Sequence, residues 1–411
     1  MHSGYERKEA GSAGSERRKS DWINMDRNRN KINILHLRDS PWLDGPGRTI
    51  LETASAIDSS RFGYFIGAFV RNGTAEHPFI DAASRKKTNI IKISESGTFD
   101  FSTVYQILKI IGKEKIDILH THEVRSDILG LLCGKMKRIP VVVTLHGWIE
   151  NDRKGKILTK LDKWLLRYFD HIVAVSDKMK KEVVGVGVNG KNVSVLYNAL
   201  VIENYRRDPD DSIFRKQFGI KDEMFLVGNI GRLSPEKGQA DFIRAAAEVL
   251  KYCKNVKFAL IGSGSDETYL RELADELNIR DSVIFTGYRN DMLQVYNSLD
   301  LVVQSSRTEG MPNVILEALA METPVIATDV GGTLEAIINN YTGILIRPGD
   351  PRELAEKIIE YLKNPGLLAG MVKNGRKLIE MKFNFTERTE KLCRIYDALM
   401  REKARDELSV A

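Results

Sequence analysis

The residues best suited to chemistry in this 411-residue chain lie in Glu309–Met321, EGMPNVILEALAM. The stretch opens with a carboxylate, a Gly and a Pro, then becomes an apolar run that reads as a helix. Pro312 suits the first helical position, where a missing N–H costs nothing. Asp300–Gln304 before it and Thr323–Ala327 after it read as short buried strands, which makes the βαβ unit of a parallel sheet. Ligands of such sheets bind beyond the carboxyl ends of the strands. Glu309 falls at that end, and Glu317 falls about one and a half turns into the helix. The free N–H groups and positive end of the helix suit a phosphate. A carboxylate beside a phosphate is unfavourable unless the ligand also brings neutral hydroxyls, two of which one carboxylate can accept. A nucleotide sugar carries hydroxyls on both sides of its phosphates. The alternative is that both glutamates are solvated helix-end residues.

Other candidates sit at equivalent places. Arg232 and Lys237 follow the strand Phe225–Ile230 and, opposite the Pro312 helix, would close around a diphosphate. His120 and His122 end one strand (Asp117–Leu119), and His146 ends the next (Pro140–Leu145). A lone strand-end His is commonly structural. Two such ends on the face of a Gly-rich loop, Arg38–Arg48, point to a site. That loop precedes a helix expected over Thr49–Ile57. It is not a dinucleotide fingerprint, because Ile50 stands where the third Gly belongs.

These candidates need two alternations of strand and helix to hold them. Residues 1–30 form a polar tail expected to be disordered. Residues 31–203 alternate as one Rossmann-like domain and 204–383 as a second, with Asn198–Asp222 as the joining region. A last helix is read over Arg388–Met400. The net charge of +6 permits acidic ligands or an anionic surface. No basic stripe with interleaved aromatics supports nucleic-acid binding. Cys133, Cys253 and Cys393 have no disulfide or metal spacing, which fits a reducing compartment. No run spans a bilayer, and no signal-peptide core opens the chain. The expected location is cytoplasmic. Arg153, Lys154, Lys156, Lys160 and Lys163 cluster around an amphipathic helix over Lys156–Phe169, and Lys178, Lys180 and Lys181 follow. This raises a peripheral contact at the inner face of a membrane. The alternative is that the apolar stripe packs on the sheet and the lysines are solvated.

Gly231-Arg232-Leu233 with Lys237-Gly238, Gly262-Ser263-Gly264, Phe285-Thr286-Gly287, Ser305–Gly310 with Glu317-Ala318, and Gly331-Gly332 with Glu335 together resemble the family 4 glycosyltransferases, retaining enzymes of the GT-B fold. The resemblance covers nearly the whole chain after residue 30 and is strongest in the second half. Asn198-Ala199 and Asp44–Gly47 depart from the commoner Asn-Gly and Gly-Gly. It implies an α/β architecture of two facing Rossmann-like domains, with the final helix (384–405) crossing back to the first. It also implies that Arg232 and Lys237 hold the diphosphate and Glu317 the ribose. Glu309 would hold the donor sugar, with backbone from Gly310, Met311, Pro312 and Asn313 around sugar and phosphates. His122 would lie near the reacting centre, His146 near the donor sugar, and Gly47 in the loop approaching the diphosphate. The substrates implied are a nucleotide-diphosphate sugar and a glycan or lipid-linked acceptor, as in polysaccharide or glycolipid synthesis. No cofactor is expected. No Asp-x-Asp motif is placed at the site, so no metal is expected either. A nucleotide-sugar epimerase or a non-catalytic nucleotide-sugar-binding subunit would share the architecture. Donor consumption with and without acceptor separates the first from a transferase.

Overall fold

The computed structural model describes residues 31–410 except 72, 74–76, 98–99, 149–152 and 209–212. The tail 1–30, the side chains of Arg153 and Lys154, and part of the Asp208–Asp211 run lie outside the described residues.

The first domain runs β1 (Ile32–Arg38), α1 (Gly45–Ala56), β2 (Phe62–Arg71), α2 (Pro78–Arg85), β3 (Asn89–Glu95), α3 (Ser102–Lys113), β4 (Ile118–Thr121), α4 (Val124–Lys137), β5 (Val141–Leu145), α5 (Arg153–Leu165), β6 (His171–Ala174), α6 (Asp177–Gly185) and β7 (Val193–Val195). All pairings in its seven-stranded sheet are parallel, in the order β3-β2-β1-β4-β5-β6-β7. The inner strands are near-continuous β-branched runs because helices cover both faces. Val141–Leu145 is buried at every residue.

The second domain runs α7 (Ile213–Gln217), β8 (Phe225–Ile230), α8 (Gln239–Tyr252), β9 (Val256–Ile261), α9 (Glu267–Glu276), β10 (Val283–Gly287), α10 (Met292–Ser298), β11 (Leu301–Gln304), α11 (Asn313–Ala320), β12 (Val325–Thr328), α12 (Thr333–Ala336), β13 (Ile344–Ile346), α13 (Pro351–Lys363) and α14 (Ala369–Lys382). Its parallel sheet is ordered β10-β9-β8-β11-β12-β13. In each sheet the strand order reverses once, between β1 and β4 and between β8 and β11. A crevice opens beyond the strand ends at such a point.

The final helix, α15 (Phe385–Val410), returns to the first domain. Leu392, Cys393, Tyr396 and Leu399 join the core made by Ile34, Ile50, Phe62, Ile66 and Phe79. α15 is longer than the Arg388–Met400 read from periodicity, because the charged segment beyond Met400 is made of good helix formers and continues in solvent.

Two elements correct the sequence reading, and a third overturns an alternative it left open. α1 starts at Gly45, not Thr49. The Asp44 side chain accepts from the Gly47 N–H at 2.9 Å and caps the helix, so the expected Gly-rich loop is largely the first helical turn. Pro312 is not the first helical residue. It has extended backbone and takes the N-cap position, its carbonyl accepting from Ile315 and Leu316. α5 does not bury its apolar stripe. Thr159, Asp162 and then Leu166 turn inward, whereas Ile157 is 67 % and Trp164 48 % exposed, with Leu158, Leu161 and Tyr168 also open.

Candidate functional site

The two crevices face each other. On the second domain, β8 ends at Gly231-Arg232 and a 3-10 turn, Pro235–Lys237, follows. The turn is tied to the loop after β11, because the Arg307 N–H donates to the Glu236 carbonyl (2.8 Å) and the Ser305 hydroxyl to the Lys237 carbonyl (3.0 Å). This sets Lys237 Nζ 2.7 Å from Glu309 Oε1, which also accepts from the Ser306 hydroxyl at 2.6 Å. Arg232 pairs with buried Glu236 at 2.5 Å and is otherwise exposed. Lys237 and Glu309 are therefore together, and Arg232 stands one turn away with its guanidinium open to solvent.

Glu317 lies in α11 and is buried. It accepts from the Tyr296 hydroxyl at 2.8 Å and approaches the Tyr205 hydroxyl at 3.5 Å. Arg48 of α1 reaches it across the cleft at 3.4 Å. Burial raises the Glu317 carboxyl, opposed by Arg48 and the two tyrosines. The Arg48 guanidinium thus covers the Glu317 carboxylate from the facing domain.

The two domains touch along Gly310, Met311 and Asn313. A Cβ on Gly310 would sit 1.9 Å from the His146 carbonyl oxygen, and one on Gly45 would sit 2.9 Å from Asn313 Nδ2. The starts of α1 and α11 thus meet across the cleft, and two helix N-termini face one space. Gly45 makes this approach. Gly47 does not: it is buried against Phe79, and its N–H is used by Asp44. Asp44 is held in turn by Arg38, which is buried between Asp44 (2.6 Å) and Glu123. Asn198 Nδ2 donates to the Met311 carbonyl at 3.0 Å. Glu335 accepts the Asp177 N–H at 2.8 Å, joining α12 to the start of α6. Beside these contacts a cavity of about 440 Å³ opens between the domains, lined by Gly147, Trp148, Lys163 and Lys178 on one side and Glu309 and Arg307 on the other.

The histidines form a buried group under the first-domain crevice. His36, His120 and His122 are 2, 1 and 9 % exposed, and His146 is the more open member. Burial holds His36 down at about 3, with the Arg388 charge acting the same way; burial and the charges of Arg38 and Arg388 hold His146 at about 3. The ring nitrogens of His36, His120 and His122 lie within 4.8 Å of one another, but each already has a hydrogen-bond partner in the protein.

Arg38, Arg48, His36, Tyr205, Tyr296 and Tyr396 are at or behind the site and were not among the sequence candidates. Arg48 and His36 belong to the β1–α1 unit already placed at the crevice, so their position carried a signal. Tyr205, Tyr296 and Tyr396 carried none.

Two Rossmann-like domains with facing crevices define the GT-B class of glycosyltransferases. The chain belongs to glycosyltransferase family 4: residues 43–204 match the profile described as Glycosyltransferase Family 4, and residues 210–378 that described as Glycosyl transferases group 1. It is 25 % identical over 384 residues to the Escherichia coli UDP-Gal:alpha-D-GlcNAc-diphosphoundecaprenol alpha-1,3-galactosyltransferase, covering 89 % of this chain and 97 % of that one. It is 26 % identical over 314 residues to the Staphylococcus aureus capsular polysaccharide biosynthesis glycosyltransferase CapM, covering 74 % and 82 %. Its fold is similar to that of Anabaena HepE, crystallised with UDP and glucose, at a TM-score of 0.80 and 22 % identity, covering 89 % of this chain and 100 % of that one.

Proposed function

We propose that this glycosyltransferase moves a hexose from a nucleoside-diphosphate sugar to an acceptor hydroxyl with retention, and that the acceptor is lipid-linked and met at a membrane surface. The observation that carries the donor reading is the Lys237–Glu309 pair set beside the start of α11 at the cavity. One cation and one hydroxyl acceptor stand together where an anion-binding helix begins.

The chemistry follows from charge. Cleavage of the bond between the anomeric carbon and the phosphate oxygen leaves negative charge on the diphosphate. Lys237, Arg232 and the helix start stabilise that charge as it develops. The anomeric carbon becomes oxocarbenium-like. The acceptor oxygen attacks on the face the phosphate leaves, and its proton passes to the departing phosphate oxygen. Glu309, relieved of Lys237 by the diphosphate, accepts hydroxyls of the sugar. The E. coli relative, whose name specifies a UDP-sugar donor and a polyprenyl-diphosphate acceptor, supports this substrate class.

The membrane reading rests on the outward face of α5. Ile157, Leu158, Leu161 and Trp164 are exposed beside exposed Lys156 and Lys160. Neighbouring α4 adds exposed Ile128, Leu132 and Met136, and α3 adds Tyr105. An apolar patch ringed by lysines suits an anionic bilayer surface, each basic residue contributing about 1 kcal/mol. Among the described residues no helix is long and apolar enough to cross a membrane.

The test is a panel of nucleoside-diphosphate sugars with and without a polyprenyl-diphosphate-linked sugar, read by nucleotide release and by the anomeric configuration of the product. Acceptor-dependent release with retained configuration is expected; donor turnover without any acceptor overturns transfer. Co-sedimentation with anionic vesicles at low salt is expected to fall when Trp164→Ser and Lys160→Gln are combined. Unchanged binding overturns the α5 docking face.

A further inference from the structure

A continuous hydrogen-bonded chain runs beneath the cleft. Thr144 Oγ1 lies 2.7 Å from His120 Nε2, and His120 Nδ1 lies 2.6 Å from the Tyr396 hydroxyl. That hydroxyl is 3.2 Å from His36 Nε2, and His36 Nδ1 is 2.9 Å from His122 Nε2. His122 Nδ1 is 3.2 Å from His146 Nε2. In the His36–His122 and His122–His146 pairs the ring planes are within 21° and 23° of parallel, with centroids 5.2 and 5.5 Å apart. Each centroid separation exceeds the nitrogen separation by one ring radius at each end, so these rings meet edge to edge, nitrogen to nitrogen. The rings belong to β1, β4 and β5 and the loops after them, and Tyr396 comes from α15. His146 is the open end of the chain, next to Gly147 at the cavity wall.

The protons in this chain can be counted. A buried imidazolium is unfavourable beside Arg388, itself fully enclosed and holding the Tyr197 carbonyl at 3.1 Å. Each histidine is therefore neutral, with one N–H and one lone pair. Every link needs one proton, so all links must run in the same direction. Tyr396 passes that direction on by accepting on one side and donating on the other. Thr144 sets it. Its buried hydroxyl has no acceptor among the described residues other than His120, and an unmade bond there is costly. Thr144 therefore donates to His120 Nε2, His120 Nδ1–H to Tyr396, Tyr396 to His36 Nε2, His36 Nδ1–H to His122 Nε2, and His122 Nδ1–H to His146 Nε2.

We propose that Thr144, Tyr396 and His36 are positioning residues that lock His146 as the Nδ1–H tautomer, so that it presents a neutral hydrogen-bond donor, and not a base, to the transferring sugar or its phosphate. Both nitrogens of His122 are used inside the chain, which makes His146 the histidine that meets substrate. An acceptor proton has no place to go in the chain, because one further proton would create a buried cation. This inference rests on the transferase reading for its substrate, but not for the tautomer.

The experiment is long-range 1H–15N correlation on 15N-histidine-labelled protein, which separates Nδ1–H from Nε2–H imidazoles without any substrate. The wild type is expected to show His146 as Nδ1–H. Tyr396→Phe cuts the chain, and Thr144→Val removes its first proton while keeping the shape. Each is expected to move His146 toward the Nε2–H form. An Nε2–H His146 in the wild type, or an Nδ1–H signal unchanged in both variants, overturns the lock. In turnover, both variants are expected to lose up to about a hundredfold in kcat, the lower end of what one well-placed donor is worth, with donor KM within twofold. His146→Asn, whose amide N–H falls near Nδ1, is expected to keep more activity than His146→Gln. The reverse order would also overturn the assignment. If the tautomer shifts as expected while no acceptor-dependent transfer is ever found, the lock stands and the transferase reading fails.

Discussion

At the scale of single residues, Glu309 and Glu317 share a side chain but not an environment. Glu309 is paired with a cation that a diphosphate can take from it. Glu317 is enclosed by two tyrosines and covered by Arg48. Lys237→Ala and Glu317→Ala are each expected to weaken nucleoside-diphosphate binding by about 1.5–3 kcal/mol, the worth of one charge-assisted contact, with folding retained. Calorimetric titration checks this, and wild-type affinity in both variants would remove these residues from the donor site. The buried imidazoles have a second consequence. Unfolded, they take up protons near pH 6.5; folded, His36 holds out to about 3. Between these values the unfolded chain binds more protons. Their contribution to stability is thus complete above pH 6.5 and is lost as the pH falls towards 3, by up to about 1.4 kcal/mol per pH unit for each fully buried ring. Urea unfolding at pH 7.5, 6 and 5 should show this slope, and His36→Gln should reduce it. The pairing of Lys237 with Glu309 was within reach of the sequence because both sit in short loops at ends of adjacent strands. The cover of Arg48 over Glu317 was not, because the two are 269 residues apart and only the relative placement of the domains brings them together.

At the scale of elements, periodicity found most of the strands and long helices, because both faces of each sheet are covered and the strands are simple apolar runs. It missed α2, α6, α7, α10, α12 and β13, which are too short to show a period, and the 14-residue α14, whose glycines and scattered apolar residues make no continuous stripe. For α5 the period was real but its direction was not visible. The inward face carries Asp162, which accepts from Trp148 Nε1 at 2.8 Å and is buried close to Asp127 of α4. Burial raises both carboxyls, and Asp162 raises Asp127 further. A raised acid is stabilising only while it holds its proton, so this pair costs stability as the pH rises above the ordinary carboxylate range. Asp127→Asn is expected to raise the Tm at pH 8 by more than at pH 5. An equal change at both would show that the pair does not titrate as described. The loop before α11 is held just as closely. Gly310→Ala places a methyl 1.9 Å from the His146 carbonyl and should force the domains apart, with at least about a hundredfold loss of transfer and an unchanged circular dichroism spectrum.

At the scale of the whole molecule, the chain passes between domains twice, and the two passages lie side by side. The Leu200 N–H donates to the Phe383 carbonyl at 2.9 Å, and the Phe385 N–H to the Leu200 carbonyl at 3.0 Å. The hinge is thus a pair of short extended segments at 200 and 384, narrower than the Asn198–Asp222 region read from weak periodicity. Away from it the domains meet at separate points, the hydrogen bonds of Asn198 and Glu335 and the packing of Val175 into the second-domain core, and contacts of this kind suit a hinged closure. Small-angle scattering is expected to show a smaller radius of gyration on saturation with nucleoside diphosphate in the wild type and a smaller response in Gly310→Ala. An identical profile with and without nucleotide would rule out closure. Two domains and a cleft follow from the two alternations in the sequence. The angle at which they meet depends on a few contacts between distant residues, such as Asn198 with Met311 and Glu335 with Asp177.

The return of α15 also sets a timetable for synthesis. The first sheet is fully translated once β7 is made, yet the helix that supplies Leu392, Tyr396 and Leu399 to its core is still to come, along with the whole second domain. At about 5–20 residues per second, that interval lasts roughly 10–40 s. During it, the core around Ile34, Phe62 and Ile66 has only the cover of α1 and α2, through Ile50 and Phe79, and Arg388 has not yet arrived against Thr53. A chain ended after Phe383 and released should therefore be protease-sensitive in its first domain and protected in its second. Release of the full chain should protect both.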